Sequence, residues 1–190
     1  MLRVTTLYAS SAAATALYYT RYLTDAPGEE PGVWTGAKAD RLGLSGRVST
    51  EALAVLLEGR DPISGTPLGL ALTDRVLANG KTIRAVAGFD ATFSAPKSVS
   101  VLWALTGDPA VLDVHTQAVR VALANLERFG ATTRVRVNGT RQHPDTNGLT
   151  MRRSSRPPRG RMTPSCTLTR SSHRRSKRRM GVGGRWTPAI

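Results

Sequence analysis

"GFDATFSAPKSVSVLWAL", residues Gly88–Leu105, is the stretch on which the fold turns. With its upstream extension it reads "IRAVAGFDATFSA", which alternates as a strand does when successive side chains take opposite faces. Ala87, Phe89, Ala91 and Phe93 are expected on one face, and Gly88, Asp90, Thr92 and Ser94 on the other. At Ser-Ala-Pro-Lys the period changes. "PKSVSVLWAL" reads as a helix, with Ser94 as the expected cap and Pro96 in the first turn, where its missing N–H is no loss. A strand interior disfavours aspartate, so Asp90 needs a reason. It is either a general base or orienting group in a groove, or an exposed carboxylate on the solvent face. Lys97 sits in the first turn of the helix, an end that already favours anions. It is a candidate phosphate contact, or else an ordinary solvated lysine.

Before this stretch, "RVTTLY" suits a short strand and "SSAAATALYYTRYL" a helix, with Ser10 or Ser11 as cap. Tyr18 and Tyr22 are four apart and share a helix face, while Tyr19 points about 100° away. Tyrosine can be a nucleophile that forms a covalent intermediate, can stack on bases, or can simply fill a core. "DAPGEEPG" breaks the helix, and "AKADRLGLSG" reads as a short helix or turn. "STEALAVLLEG" is a compact helix with Ser49 as cap and Gly59 as stop, and "RDPISGTPLG" is a loop. After the central strand and helix, "GDPAVLDVHTQAVRVALANLERFG" is a longer helix. Asp108 caps it, Pro109 opens it, Gly130 ends it, and Leu112, Val119, Leu123 and Leu126 form its apolar stripe. "ATTRVRVNGT" is a strand followed by an Asn-Gly turn. His115, His143 and His173 lack metal-ligand spacing, His115 being read as structural, and no Walker, Rossmann or zinc signature is present.

The chain has 190 residues, 40% of them hydrophobic, enough for one domain with a core. Its formal net charge is +14, unevenly placed. Residues 1–150 hold 15 Lys+Arg against 13 Asp+Glu, whereas residues 151–190 hold 12 Lys+Arg and no acid. The first part is therefore a near-neutral domain. The second, rich in Arg, Ser, Pro and Gly and without periodicity, is expected to be a disordered basic tail. The single cysteine, Cys166, rules out a disulfide within the chain and suits a reducing cytoplasm. No apolar run reaches the roughly 18–20 residues of a membrane span, and the weak apolar start is read as mature protein rather than a secretion signal.

Taken together, "GFDATFSAPKSVSVLWAL", the Tyr18-Tyr19 pair and the "WTG…LGLSGRVSTEALAVLLEGRDP" stretch closely resemble the signature segments of the TrwC-type (MobF class) conjugative relaxases, in the same order. The resemblance covers roughly residues 1–150. It implies an α+β fold, part of an HUH-endonuclease domain with an antiparallel sheet flanked by helices. It also implies cleavage of single-stranded DNA at a transfer origin by a tyrosine that stays joined to the 5′ phosphate, assisted by a divalent metal ion held by three histidines. Carried onto this chain, Tyr18 matches the nucleophile, Tyr19 is its neighbour, and Asp90 matches the carboxylate that activates the tyrosine or orients a metal ligand. Lys97 and Tyr22 become candidate DNA contacts. Implied partners are transfer-origin DNA and the conjugation machinery, in the cytoplasm.

The resemblance stops where the family's histidine motif, close to "DPQLHTH", should appear. Here the chain reads "MTPSCTLT", residues Met162 to Thr169. Taking the tail's codons two bases later, Met162–Thr163 must give Asp, and the shifted tail around it can spell "DDPQLHTH". From Arg179 onward they can spell "DGRWWALD", a second family-like phrase. The tail is thus expected to be out-of-frame translation beginning near Met151. The chain would then be a truncated relaxase homologue with no metal ligands of its own and no cleavage activity, its sheet lacking a central strand. Two other classes are kept: a noncatalytic nucleic-acid-binding protein acting through its basic tail, and a structural fragment of a transfer complex.

Overall fold

A computed structural model describes residues 1–22, 31–133, 135–137, 140–142, 144, 146, 148–154 and 165–169. Strand β1 (Leu2–Tyr8) leads through a single 3₁₀ turn into helix α1 (Ala12–Leu17), which runs on as a π-helical turn over Tyr18–Tyr22. Next come β2 (Val33–Thr35), α2 (Ala37–Arg41) and α3 (Thr50–Leu57). A small hairpin, β3 (Arg75–Val76) and β4 (Thr82–Ile83), precedes β5 (Val86–Phe93). Helices α4 (Lys97–Thr106) and α5 (Pro109–Gly130) follow, then β6 (Val135–Val137) and β7 (Thr140–Gln142) as a second hairpin. Strands β8 (Thr150–Ser154) and β9 (Ser165–Thr169) complete the described chain.

Five strands form one antiparallel sheet in the order β1-β5-β9-β8-β2. The α+β class is as expected, but the centre of the sheet is not. Residues of the expected disordered tail supply β8 and β9, and β9 fills the central position expected to be missing. Their register explains why. Once β5 and β8 stand apart by one strand's width, an extended segment between them pairs its backbone on both sides whatever its side chains are. The rest of the tail, with His173, lies outside the described residues, as do His143 and the Asn-Gly turn.

Two apolar clusters sit against the sheet. The first joins Leu7, Ala12, Ala16, Tyr19, Val48, Leu53, Leu57 and Ala87, packing α1 and α3 together over β1 and β5. The second joins Ala91, Leu149 and Met151 to Val119 and Leu123 of α5, with Phe93 and Leu126 at its margin. The expected stripe of α5 therefore holds in its second half, whereas Leu112 in the first is exposed. The expected face of β5 is corrected at one residue. A bulge where Leu7 faces Gly88 and Tyr8 faces Val86 skips Ala87, which turns it from the second cluster into the first.

The caps follow the sequence in two cases. Ser49 accepts from Ala52 N at 3.1 Å, and Asp108 accepts from Ala110 N at 2.9 Å. Ser94 does not cap α4. Pro96 takes that position without a side-chain bond, and Ser94 N donates instead to Met1 O at 2.8 Å. Ser11 precedes α1, but its hydroxyl donates back to Tyr8 O. Glu127, unremarked in the sequence, ties α5 to the sheet: its Oε1 accepts from Ala37 N at 2.8 Å and Leu149 N at 2.9 Å. Gly148, at φ +92°, lets the backbone pass here, since a Cβ would meet Ala37 Cβ at 2.8 Å and Glu127 Oε1 at 2.9 Å.

Candidate functional site

The site is built where the end of α1 crosses the sheet. Small residues make the approach possible: Ala12 and Ala16 are buried against the first cluster, bringing the helix backbone close to β1 and β5. The helix widens into a π-helical turn at Tyr18–Tyr22. Such turns are rare and gather at functional sites. Widening places the consecutive tyrosines in different surroundings. Tyr18 is 48% exposed and Tyr19 only 7%. Their rings meet edge to face, with centroids 5.3 Å apart and planes at 82°, an arrangement the ring quadrupoles favour.

Three tethers hold this turn. Thr20 Oγ1 lies 2.8 Å from Ala16 O and 2.6 Å from Thr50 Oγ1, joining the turn to the start of α3. The Tyr19 phenol sits beside Asp90, the mid-strand carboxylate of β5, close enough for its charge to act on the ring hydroxyl. Arg152 of β8 reaches across from the other half of the sheet. Its Nη2 donates to Tyr19 O at 2.7 Å, its Nη1 donates to Ser154 Oγ at 3.1 Å, and its guanidinium carbon lies 5.6 Å from the Tyr19 ring centroid. Arg152 is 1% exposed. It belongs to the expected tail, and no sequence signal marked it.

Register explains the convergence. Thr5, Asp90, Thr167, Arg152 and Trp34 are successive partners across β1, β5, β9, β8 and β2. In-register residues of neighbouring strands share a sheet face, and for Asp90 and Arg152 this is the face covered by the tyrosine turn. Asp90 is not an exposed carboxylate on a solvent face: one of its oxygens is shielded from solvent. Burial first, then the charge and hydrogen bond of Asp90 and the neighbouring Tyr18, push the Tyr19 phenol's pKa well above its ordinary 10.0, and the Arg152 cation opposes them. Tyr19 is therefore a neutral phenol at physiological pH. Tyr18 is the phenol that solvent and ligand can reach.

The other expected residues are spread out. Lys97 opens α4 and is exposed, beyond the Phe93 end of β5. Tyr22 closes the tyrosine turn, and its side chain lies outside the described residues. His115 sits on α5, where burial and the N-terminal amino group lower its pKa, consistent with a structural histidine.

Among the described residues the donor set does not fit a divalent metal ion. Among the described residues no three His, Cys, Asp or Glu side chains come together. Asp90 is the one carboxylate of its row, and the same row buries the permanent cation of Arg152, which repels a second cation at close range.

An antiparallel sheet crossed by a helix that presents one exposed tyrosine, backed by a buried tyrosine and a carboxylate, defines the tyrosine-bearing end of an α+β domain. Residues 3–156 match the TrwC relaxase family, and the chain belongs to it. It is 38% identical over 145 residues to the multifunctional conjugation protein TraI of Escherichia coli (strain K12), a match covering 74% of this chain and 8% of TraI. Among solved structures it resembles the conjugative relaxase TrwC in complex with oriT DNA in its metal-bound form. That match has a TM-score of 0.65 and 26% identity, over 89% of this chain and 56% of that one. TrwC complexed with a 27-mer DNA comprising the recognition hairpin and the cleavage site matches with a TM-score of 0.61 and 25% identity, over 89% and 55%. The chain thus spans just over half of the TrwC chains and a small part of TraI. No helix among the described residues is long and apolar enough to cross a membrane.

Proposed function

We propose that this chain is the tyrosine-bearing N-terminal portion of a DNA relaxase, residues 1–150, and that Tyr18 is its nucleophile toward single-stranded DNA. One observation carries the reading: an exposed Tyr18 rests edge-on against a buried Tyr19, on the sheet row that carries Asp90. In the reaction the Tyr18 oxygen attacks phosphorus and the bond from phosphorus to the 3′ oxygen breaks. The 5′ phosphate stays on the tyrosine, and the leaving 3′ oxygen takes up a proton. Asp90 is the local base and Tyr19 the neighbour that fixes it. Lys97 and Tyr22 contact the DNA strand away from the reacting phosphorus. The chain works in the cytoplasm beside the conjugation machinery. It binds DNA without cleaving it, because among the described residues nothing beside Asp90 would hold the divalent ion that draws charge from the phosphate.

A metal-replete incubation with a single-stranded oligonucleotide, resolved on a denaturing gel, tests this. The expected result is retained DNA binding and no covalent adduct. An adduct lost in Tyr18→Phe would show the site active as it stands, and one that persists in Tyr18→Phe would remove Tyr18 from its role. Absence of binding by the folded chain sinks the reading.

The tail from residue 151 is read as out-of-frame translation. The register of β9 supports this, since Thr167 lies opposite Asp90 and the shifted codons there can encode His-Thr-His. Resequencing the coding DNA from Asp145 onward decides it; a shifted frame that spells no histidine motif overturns it. In that case the concentration of 12 Lys+Arg without acid in residues 151–190 favours a second reading, nonspecific phosphate binding by the tail. That binding would vanish on deleting 151–190 and be indifferent to Tyr18→Phe.

A further inference from the structure

We propose that Arg152 is a positioning residue for Tyr18, a clasp that holds the tyrosine turn onto the sheet from its far half; its use in DNA chemistry rests on the reading of Tyr18 given above. The guanidinium grips Tyr19 twice, by a 2.7 Å bond to its carbonyl and by lying 5.6 Å from its ring centroid. Tyr19 in turn is the surface on which the Tyr18 ring leans. Ser154, two residues along the same face of β8, sets the fork by accepting from Nη1 at 3.1 Å. Gly32 makes room for the guanidinium, since a Cβ there would collide with Arg152 Nε, Cζ and Cγ. The contact spans 133 residues of sequence, so it cannot serve local helix formation. It joins the strand that enters the sheet from the tail to the turn that carries the nucleophile.

A buried arginine is an uneconomical way to stabilise a fold, because desolvation offsets most of its attraction and a well-packed apolar residue often does as well. That contrast separates positioning from bulk stability. Label the full chain with 3-fluorotyrosine and assign the four tyrosine ¹⁹F resonances by single Tyr→Phe substitutions. In Arg152→Met the Tyr18 and Tyr19 resonances are expected to move toward the free amino-acid shift and lose their separation. The Tyr8 resonance, whose ring lies under Arg84 at 3.9 Å, stays in place, and the melting temperature does not fall. Arg152→Lys, which keeps the charge and loses the fork, is expected to restore part of the Tyr18 shift. If Tyr18 and Tyr19 stay fixed while Arg152 is replaced, the proposal is overturned. If Tyr8 moves with them, the variant has lost its fold, and Ser154→Ala decides: a smaller Tyr18 shift with Tyr8 unmoved supports the clasp, and no Tyr18 shift overturns it. No DNA enters this measurement, so its failure leaves the relaxase reading standing. Failure of oligonucleotide binding in turn leaves the clasp standing.

Discussion

The two halves of the central sheet reach the same hydrogen-bonded order by different means. β1 and β5 are strands by sequence: β-branched and aromatic residues alternate, small residues admit α1, and the pair lies in register along six residues, Leu2 to Leu7, before the bulge. β8 and β9 read "TMRRS" and "SCTLT" and would be passed over anywhere else. Yet four of the five β8 residues are buried, Arg152 among them. Side-chain pattern builds the first half, whereas backbone pairing and position build the second. Where pattern and position disagree, the mismatch is absorbed by a polar side chain that must find partners inside the protein, and Arg152 finds them on the tyrosine turn.

That contrast can be broken most forcefully from the patterned half. Leu53→Ala, at a fully buried position in the first cluster, should cost about 2–5 kcal/mol in urea unfolding. A loss below about 1 kcal/mol would mean that this half is no better packed than the other. In the unpatterned half the sign should differ. Arg152→Met should leave stability unchanged or raise it by up to about 4 kcal/mol, and a strongly destabilised variant would show that β8 depends on its charge. Ser49→Ala, which removes the cap bond of α3, should cost about 0.5–2 kcal/mol, read by the same unfolding curve. The smallest effect should come from pH. The pKa of Tyr19 is raised in the folded chain above its ordinary 10.0, so above that pH the unfolded chain releases a proton that the folded chain keeps. This contribution is constant below pH 10 and is lost as pH climbs past it. Thermal melts from pH 8 to 11 should show a decline that is shallower in Tyr19→Phe, and identical slopes would mean that Tyr19 ionises normally.

The same contrast marks how much was legible in the sequence. Ser49, Asp108, the α5 stripe and the alternation of β5 could be read directly, because each is a local rule satisfied locally. The tyrosine pair and Asp90 stood out as residues out of place, but their meeting depended on a widened helical turn and a shared sheet row that no short-range pattern encodes. Arg152 was invisible for a stronger reason: arginine in an Arg-Ser-Pro stretch is normally solvated, and only the tertiary position of β8 removes it from water. The tail shows the same limit, since its composition predicts disorder while two of its segments hydrogen-bond into the sheet. The β5 bulge, which redirects Ala87, was likewise settled by pairing with β1.

The central position of β9 also orders events in time. β1 and β5 can pair as soon as residue 93 is available, and β2 can pair with β8 once residue 154 is. Each is then half a sheet with one unsatisfied edge facing the other. A ribosome releasing this chain exposes both edges until residues 165–169 arrive to bridge them, and unpaired edges in nascent chains invite pairing with other chains. Whatever slows translation between residues 154 and 169 lengthens the interval in which the protein is most exposed to aggregation and chaperone capture.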